Sequence, residues 1–272
     1  MMPLVLSGSL MLGLGGSVAL LLGWADRAFR VRVDMRIRKV LALLPGANCG
    51  GCGYTGCGEY AEAVARGEAP ADGCPAGGPR TAAAISQCLG QESAPAFPKK
   101  AILHCGTRDE TRKRLAHYSG APHCFTAHLV SGVQECVYGC LGFGDCVTAC
   151  TFDALTLRNG VAQVDYSRCT GCGACSDVCP RSLLEIIPFK ASSMPVVACA
   201  NRDKGPDVRP ICSHGCIGCR ACPRKAECFQ MDDALARIDY TLFHPETHEE
   251  GLAAAQLCCP MGGIRRTGTD PA

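Results

Sequence analysis

The spacing of its cysteines constrains this chain more than any other feature. Twenty-three of the 272 residues are cysteine, and 12 of the 22 gaps between successive cysteines hold only two to five residues. That density implies a covalent or metal-bound framework rather than one large hydrophobic core. Bulky fillers are scarce, with 8 Phe, 6 Tyr and 1 Trp, while 32 Gly and 17 Pro place much of the chain in loops and tight turns. Charged residues make up 19%, too few for a disordered chain that also carries this much cysteine. A net charge of +2 gives no reason to expect nucleic acid as a partner. Several small modules are expected.

The N-terminus suggests where those cysteines reside. Met1 to Ala25 has no charged side chain, and Leu4 to Trp24 is long enough to read as a membrane-spanning helix. Arg27, Arg30, Arg32, Arg36, Arg38 and Lys39 follow at once. The positive-inside rule then places the remainder on the cytoplasmic side of a bacterial inner membrane, as a single-pass protein touching the lipid bilayer. A cleaved signal peptide is the alternative, and it lacks a basic leading region. A small-residue stripe, Gly15, Ala19 and Gly23, could pack on another membrane helix.

A cytosolic setting disfavours disulfides. Zinc and iron–sulfur clusters both use four cysteines, and spacing separates them. Cys169, Cys172, Cys175 and Cys179, followed by Pro180, form C-x2-C-x2-C-x3-C-P, the bacterial ferredoxin run. Its fourth cysteine ligates the other cluster of a pair. The partner half is Cys136, Cys140, Cys146 and Cys150, with stretched gaps and Thr151 where proline is expected. Crossing the fourth ligands predicts one cluster on Cys136, Cys140, Cys146 and Cys179 and a second on Cys150, Cys169, Cys172 and Cys175.

A repeat extends this pattern. RNGVAQVDY (158–166) and DDALARIDY (232–240) are hairpin-like stretches, each lying between cysteine groups. Cys216, Cys219 and Cys222 reproduce the run, but Ala226 stands where the fourth cysteine belongs. Phe243, Glu246 and Glu249 fall opposite Cys169, Cys172 and Cys175. Four ligands of one cluster are therefore missing, and the surviving cluster is expected on Cys216, Cys219, Cys222 and Cys259, with a shifted set in which Cys228 or Cys258 takes a place as the alternative. Cys49, Cys52, Cys57 and Cys74, among Gly50, Gly51, Gly53 and Gly56, make a separate module, with a zinc knuckle as the competing reading. Seven cysteines remain. Cys105 and Cys199 end similar apolar runs, AILHC and PVVAC, so a further site on Cys105, Cys124, Cys199 and Cys212 is a candidate, against buried free thiols.

The expected fold class is α+β: a transmembrane helix (1–25), a basic juxtamembrane helix (26–44), a small Cys/Gly 4Fe-4S module (45–80), a linker and sparse-cysteine segment (81–132), a two-cluster bacterial-ferredoxin-like βαββαβ unit (133–190), a degenerate second unit (191–266) and a tail (267–272).

LPGANCGGCGYTGCGEYA (44–61), DGCPAGG (72–78), CVYGCLGFGDCVTAC (136–150), the run at 169–180 and NRDKGPDV with GCIGC (201–219) resemble the iron–sulfur B subunit of the Rnf complex across nearly the whole chain. The resemblance implies an electron-transfer component of an ion-translocating ferredoxin:NAD+ oxidoreductase. It would carry at least three and, by ligand count, four [4Fe-4S] clusters, with a fifth as a candidate. It would accept electrons from soluble ferredoxin and pass them to membrane and flavin-containing partner subunits. Longer members keep complete paired motifs where this chain has Ala226 and HPETHEEG. The iron–sulfur subunit of another redox complex and a zinc-binding regulatory protein are the competing readings. No nucleotide or flavin loop is visible, and no catalytic acid–base set, so NAD reduction is not expected on this chain alone. The seven histidines read as surface groups. Arg108, Arg112, Lys113 and Arg114 read either as a docking patch for an acidic ferredoxin or as a solvated face.

Overall fold

The computed structural model describes residues 2–29, 34–91, 97–130 and 132–268. Its first helix, α1 (Met2–Ala28), covers the segment expected to span a membrane. That expectation is corrected: among the described residues, no helix is long and apolar enough to cross a membrane. Five glycines (8, 13, 15, 16 and 23) and Ser17 dilute the apolar side chains, and Asp26 and Arg27 fall within the helix's last turn. The single-pass inner-membrane placement, with its lipid contact and its cytoplasmic orientation, loses its support with the span. Of the expected basic flank, Arg30 and Arg32 lie outside the described residues.

Three short helices build the first cysteine module. In α2 (Met35–Leu43) the N-cap Asp34 accepts the Arg36 backbone N–H at 2.8 Å. In α3 (Cys57–Arg66) the chain leaves through Gly67 in the left-handed conformation, as in α4 (Gly78–Leu89) through Gly90. Their inner faces bury Val40, Leu44, Tyr60, Ala61, Val64 and Ile85 around Cys74. Tyr60 is 1% exposed and donates its hydroxyl to the Pro70 carbonyl at 2.8 Å, which ties the second half of the module to α3.

The rest of the chain is one plan used twice. In the first unit β1 (Lys99–Leu103) pairs antiparallel with β4 (Leu184–Pro188), in register Leu103 to Leu184. Between them lie α5 (Cys124–His128), α6 (Asp145–Thr148), a hairpin of β2 (Leu155–Arg158) and β3 (Val161–Val164), and α7 (Ala174–Asp177). In the second unit β5 (Ser193–Val197) pairs with β8 (Ile264–Gly268) around α8 (Gly205–Val208), the hairpin β6 (Phe229–Asp232) and β7 (Leu235–Ile238), and α9 (Pro245–Cys258). The β2–β3 turn is Asn159-Gly160, both at positive φ, as a two-residue hairpin of this hand requires.

The two units fill their interiors differently. The first packs Ala101, Leu155, Ala162 and Leu184 against Cys146 and Cys175, with Cys150 and Cys169 at the margin. The second has an ordinary apolar core that includes Met194, Phe229, Leu235, Tyr240, Phe243, Leu252 and Ala255. Phe243, opposite Cys169 in the repeat, is 1% exposed. Glu246 and Glu249 lie on α9, where the first unit has a cysteine loop. Core side chains and a helix therefore stand where the repeat aligns with the first unit's cysteine loop.

Candidate metal centres

All 23 cysteines are unpaired, so no disulfide contributes to the fold. Twenty of them line five cavities, four to each. Cys49, Cys52, Cys57 and Cys74 line a hollow of about 300 Å³, open to solvent, in the first module. Cys150, Cys169, Cys172 and Cys175 line a hollow of about 330 Å³ beside α7. Cys124, Cys140, Cys146 and Cys179 surround about 420 Å³ beside α6. Cys216, Cys219, Cys222 and Cys259 surround about 440 Å³ in the second unit. The fifth, of about 450 Å³, has Cys105, Cys136, Cys199 and Cys212. Cys88, Cys228 and Cys258 line none of these five.

The donor chemistry fits iron–sulfur clusters. Among the described residues no three His, Cys, Asp or Glu side chains converge to hold a single metal ion. Four thiols line each of the five cavities instead, the donor set that a [4Fe-4S] cube takes. Backbone N–H groups point at the sulfurs throughout. Gly77 donates to Cys74 at 3.4 Å, Ala101 to Cys169 at 3.4 Å, and Ala236 to Cys216 at 3.5 Å. Ala154, Leu183 and Gly263 each donate to the cysteine four residues earlier, Cys150, Cys179 and Cys259, at 3.3, 3.4 and 3.3 Å. Such bonds favour the charged sulfur and tune cluster potential. Burial works against the bare thiolate and pushes the thiols of Cys146, Cys175 and Cys222 up to about 12. A bound metal must therefore displace those protons.

Loop backbone sets the cavity walls. Gly171 and Gly218 occupy equivalent places in the two runs, at φ +70° and +67°. A Cβ on Gly218 would stand 2.9 Å from the Ala234 carbonyl, and one on Gly171 would run into the Lys99 carbonyl. Only glycine satisfies both the left-handed turn and the close approach. In the first module Asn48 does the equivalent work from a side chain, accepting the Cys57 N–H at 2.8 Å.

Three of the sequence-derived sets coincide with three cavities, and the stretched half-motif does not. Cys136 lies outside the cavity of Cys140, Cys146 and Cys179, and Cys124 lines it instead. Two tethers account for the exchange. The Phe125 N–H at the start of α5 donates to Asp145 at 3.2 Å, which brings Cys124 beside Cys146. Cys136 is drawn the other way, with the Asn201 amide 3.7 Å from its sulfur. The extra set expected on Cys105, Cys124, Cys199 and Cys212 therefore has Cys136 in the place of Cys124. Sequence reasoning gave Arg181 no role. It lines the Cys146 cavity, and its guanidinium donates to the carbonyls of Cys136, at 3.1 Å, and Gly139.

The basic patch does not form a single face. Arg112 reaches inward to the carbonyls of Leu141, at 3.1 Å, and Gly160, at 2.6 Å. His104, expected at the surface, is 8% exposed and spans both units: Nδ1 meets the Val197 carbonyl at 3.0 Å and Nε2 meets Glu185 at 2.7 Å. The His104 hydrogen bond holds the Glu185 carboxyl below its usual range.

Known proteins share this pattern. A family model described as "Putative Fe-S cluster" matches residues 44–76, and the 4Fe-4S binding domain model matches 162–184. The B subunit of the Na(+)-translocating ferredoxin:NAD(+) oxidoreductase complex of Acetobacterium woodii is 38% identical over 79% of this chain and 66% of its own length. The B subunit of the ion-translocating oxidoreductase complex of Methanosarcina acetivorans is 37% identical over 96% of this chain and 97% of its own. The B subunit of the proton-translocating ferredoxin:NAD(+) oxidoreductase complex of Clostridium ljungdahlii is 34% identical over 92% and 89%.

Proposed function

Because this chain belongs to the family of B subunits of ion-translocating oxidoreductase complexes, the Rnf type, and is an iron–sulfur electron-transfer protein with multiple 4Fe-4S clusters, we propose that it takes electrons from reduced ferredoxin and relays them to partner subunits of such a complex. The observation that carries this reading is the repeated grouping of four thiols around a cavity, with N–H donors on the sulfurs.

We assign cluster ligands as Cys49, Cys52, Cys57 and Cys74; Cys150, Cys169, Cys172 and Cys175; Cys124, Cys140, Cys146 and Cys179; and Cys216, Cys219, Cys222 and Cys259. When bound, a [4Fe-4S] cluster supplies reversible one-electron transfer without proton chemistry. The chain's part is to bind, bury and position. The thiolates hold the iron, the donors from Ala101, Ala154, Leu183 and Gly263 stabilise sulfur charge, and apolar walls such as Leu155, Leu184 and Ile186 limit water. Low solvent access and fixed dipoles keep reorganisation small, which suits a relay.

The test is anaerobic purification followed by mixing with reduced ferredoxin. Bleaching of the cluster absorbance with about one electron taken up per cluster supports the reading. Protein that carries clusters yet takes no electrons from ferredoxin would overturn the donor assignment.

A further inference from the structure

The cavity of Cys105, Cys136, Cys199 and Cys212 lies outside both matched family segments. No ferredoxin spacing groups these four residues. The internal repeat does. Cys105 stands two residues beyond β1 and Cys199 two residues beyond β5, and these are the equivalent opening strands of the two units. Cys136 stands four residues before Cys140 and Cys212 four before Cys216, at the equivalent entries to the two cysteine runs. Each unit thus offers the same pair, and the pairs meet across the seam that His104 spans between Val197 and Glu185.

The sulfurs here receive N–H groups as the others do. Cys140 N donates to Cys105 at 3.4 Å. Asn201 N and Cys216 N donate to Cys199 at 3.4 and 3.2 Å. Two of these donors belong to cysteines of neighbouring cavities: Cys140 to the Cys146 set and Cys216 to the Cys222 set.

We infer that Cys105, Cys136, Cys199 and Cys212 hold a fifth [4Fe-4S] cluster, shared between the two units, and that it connects the second unit's cluster to the rest. Contacts link the five thiol sets as a succession of neighbours. Gly51 of the first module packs on Cys172, since a Cβ there would stand 2.7 Å from the Cys172 carbonyl. The Cys169 and Cys146 sets share one core through Cys175 and Cys146. Cys140 then leads to Cys105, and Cys199 to Cys216. With clusters bound, each would be oxidised by one electron as the next was reduced, and no bond to the chain would be made or broken. This inference rests on the relay reading above, in which reduced ferredoxin is the electron source.

Iron and acid-labile sulfide per chain test occupancy in anaerobically purified protein. Five clusters predict about 20 of each, and four predict about 16. Cys212→Ser and Cys105→Ser should each lose about four irons, as should Cys219→Ser at the neighbouring site. If a variant fails to fold, the count on the unaltered chain still decides. About 16 irons, or zinc in place of the missing four, would overturn the fifth cluster and leave the relay intact. No sulfide at all would overturn both. For the connection, freeze-quench EPR of Cys212→Ser mixed with reduced ferredoxin should show the Cys216-site cluster reduced at least about tenfold more slowly than in the unaltered chain. An unchanged rate would refute the linear order.

Discussion

Arg181 offers a quantitative test of how this chain sets its electron potentials. Its guanidinium is half-buried between the Cys146 and Cys199 sites, and the thiols of Cys136, Cys140, Cys105 and Cys179 all act on it. Burial lowers its pKa, but an arginine stays charged at any working pH. A unit charge about 8 Å from a redox centre, at an effective dielectric near 20, contributes about 2 kcal/mol. At about 2.3 kcal/mol per 100 mV for one charge, that equals roughly 90 mV. Partial solvent access reduces the effect to about half, roughly 50 mV. Reduction adds a negative charge, which the guanidinium favours. Arg181→Met should therefore lower the potentials of these two sites by about 50 mV each and leave the Cys49 site unmoved, while Arg181→Lys should restore most of the difference. The fold should survive, because the Gln134 amide also donates to the carbonyls of Cys136 and Gly139, at 2.7 and 3.0 Å. An EPR-monitored redox titration reads each site. No shift beyond roughly 10 mV, or an upward one, would refute the electrostatic reasoning.

Phe243→Ala should cost about 3–5 kcal/mol, since the ring is 1% exposed in the second unit's core. Under argon the melting temperature of that unit should fall by roughly 15–30 °C, and iron per chain should not change; loss of iron without loss of stability would contradict the view that the ring fills a vacated cluster position. Installing Ala226→Cys, Phe243→Cys, Glu246→Cys and Glu249→Cys together should add no iron, because α9 holds positions 246 and 249 on a continuous helix where a cluster needs a loop; a gain of about four irons would refute this. Gly171→Ala should destabilise the first unit by about 1–3 kcal/mol through strain at positive φ and collision with the Lys99 carbonyl, and should speed iron loss to a chelator.

How much of this was legible in sequence depended on whether a ligand set was local. The Cys49 and Cys169 groups are set by short loops, so motif spacing carries nearly all the information. The second unit's departure from the paired pattern was legible too, because four expected ligands were missing from the repeat together. The exchange of Cys136 for Cys124 was not. It is decided by Asp145 capturing the Phe125 N–H and by Asn201 reaching Cys136, contacts between segments 20 and 65 residues apart in the chain. The N-terminal span failed for a different reason. A run free of charge reads as membrane-like in a string, yet the helix it forms is diluted by glycine and ends in Asp26 and Arg27.

One signal for the fifth cavity was present in the sequence. Aligning the units by their hairpins draws attention to what they share with ferredoxin, whereas Cys105 with Cys199 and Cys136 with Cys212 are shared only between the units themselves. A duplicated fold has one kind of surface that a single copy lacks, the seam where the copies meet. A residue needed there must be kept in both copies although it serves neither alone. By that reasoning the paired extra cysteines mark the seam. On the outer side of the second unit, Phe243 and α9 supply apolar packing where the repeat aligns with the first unit's cysteine loop. At the seam the same replacement would cut the Cys216 site off from every other thiol set in the line.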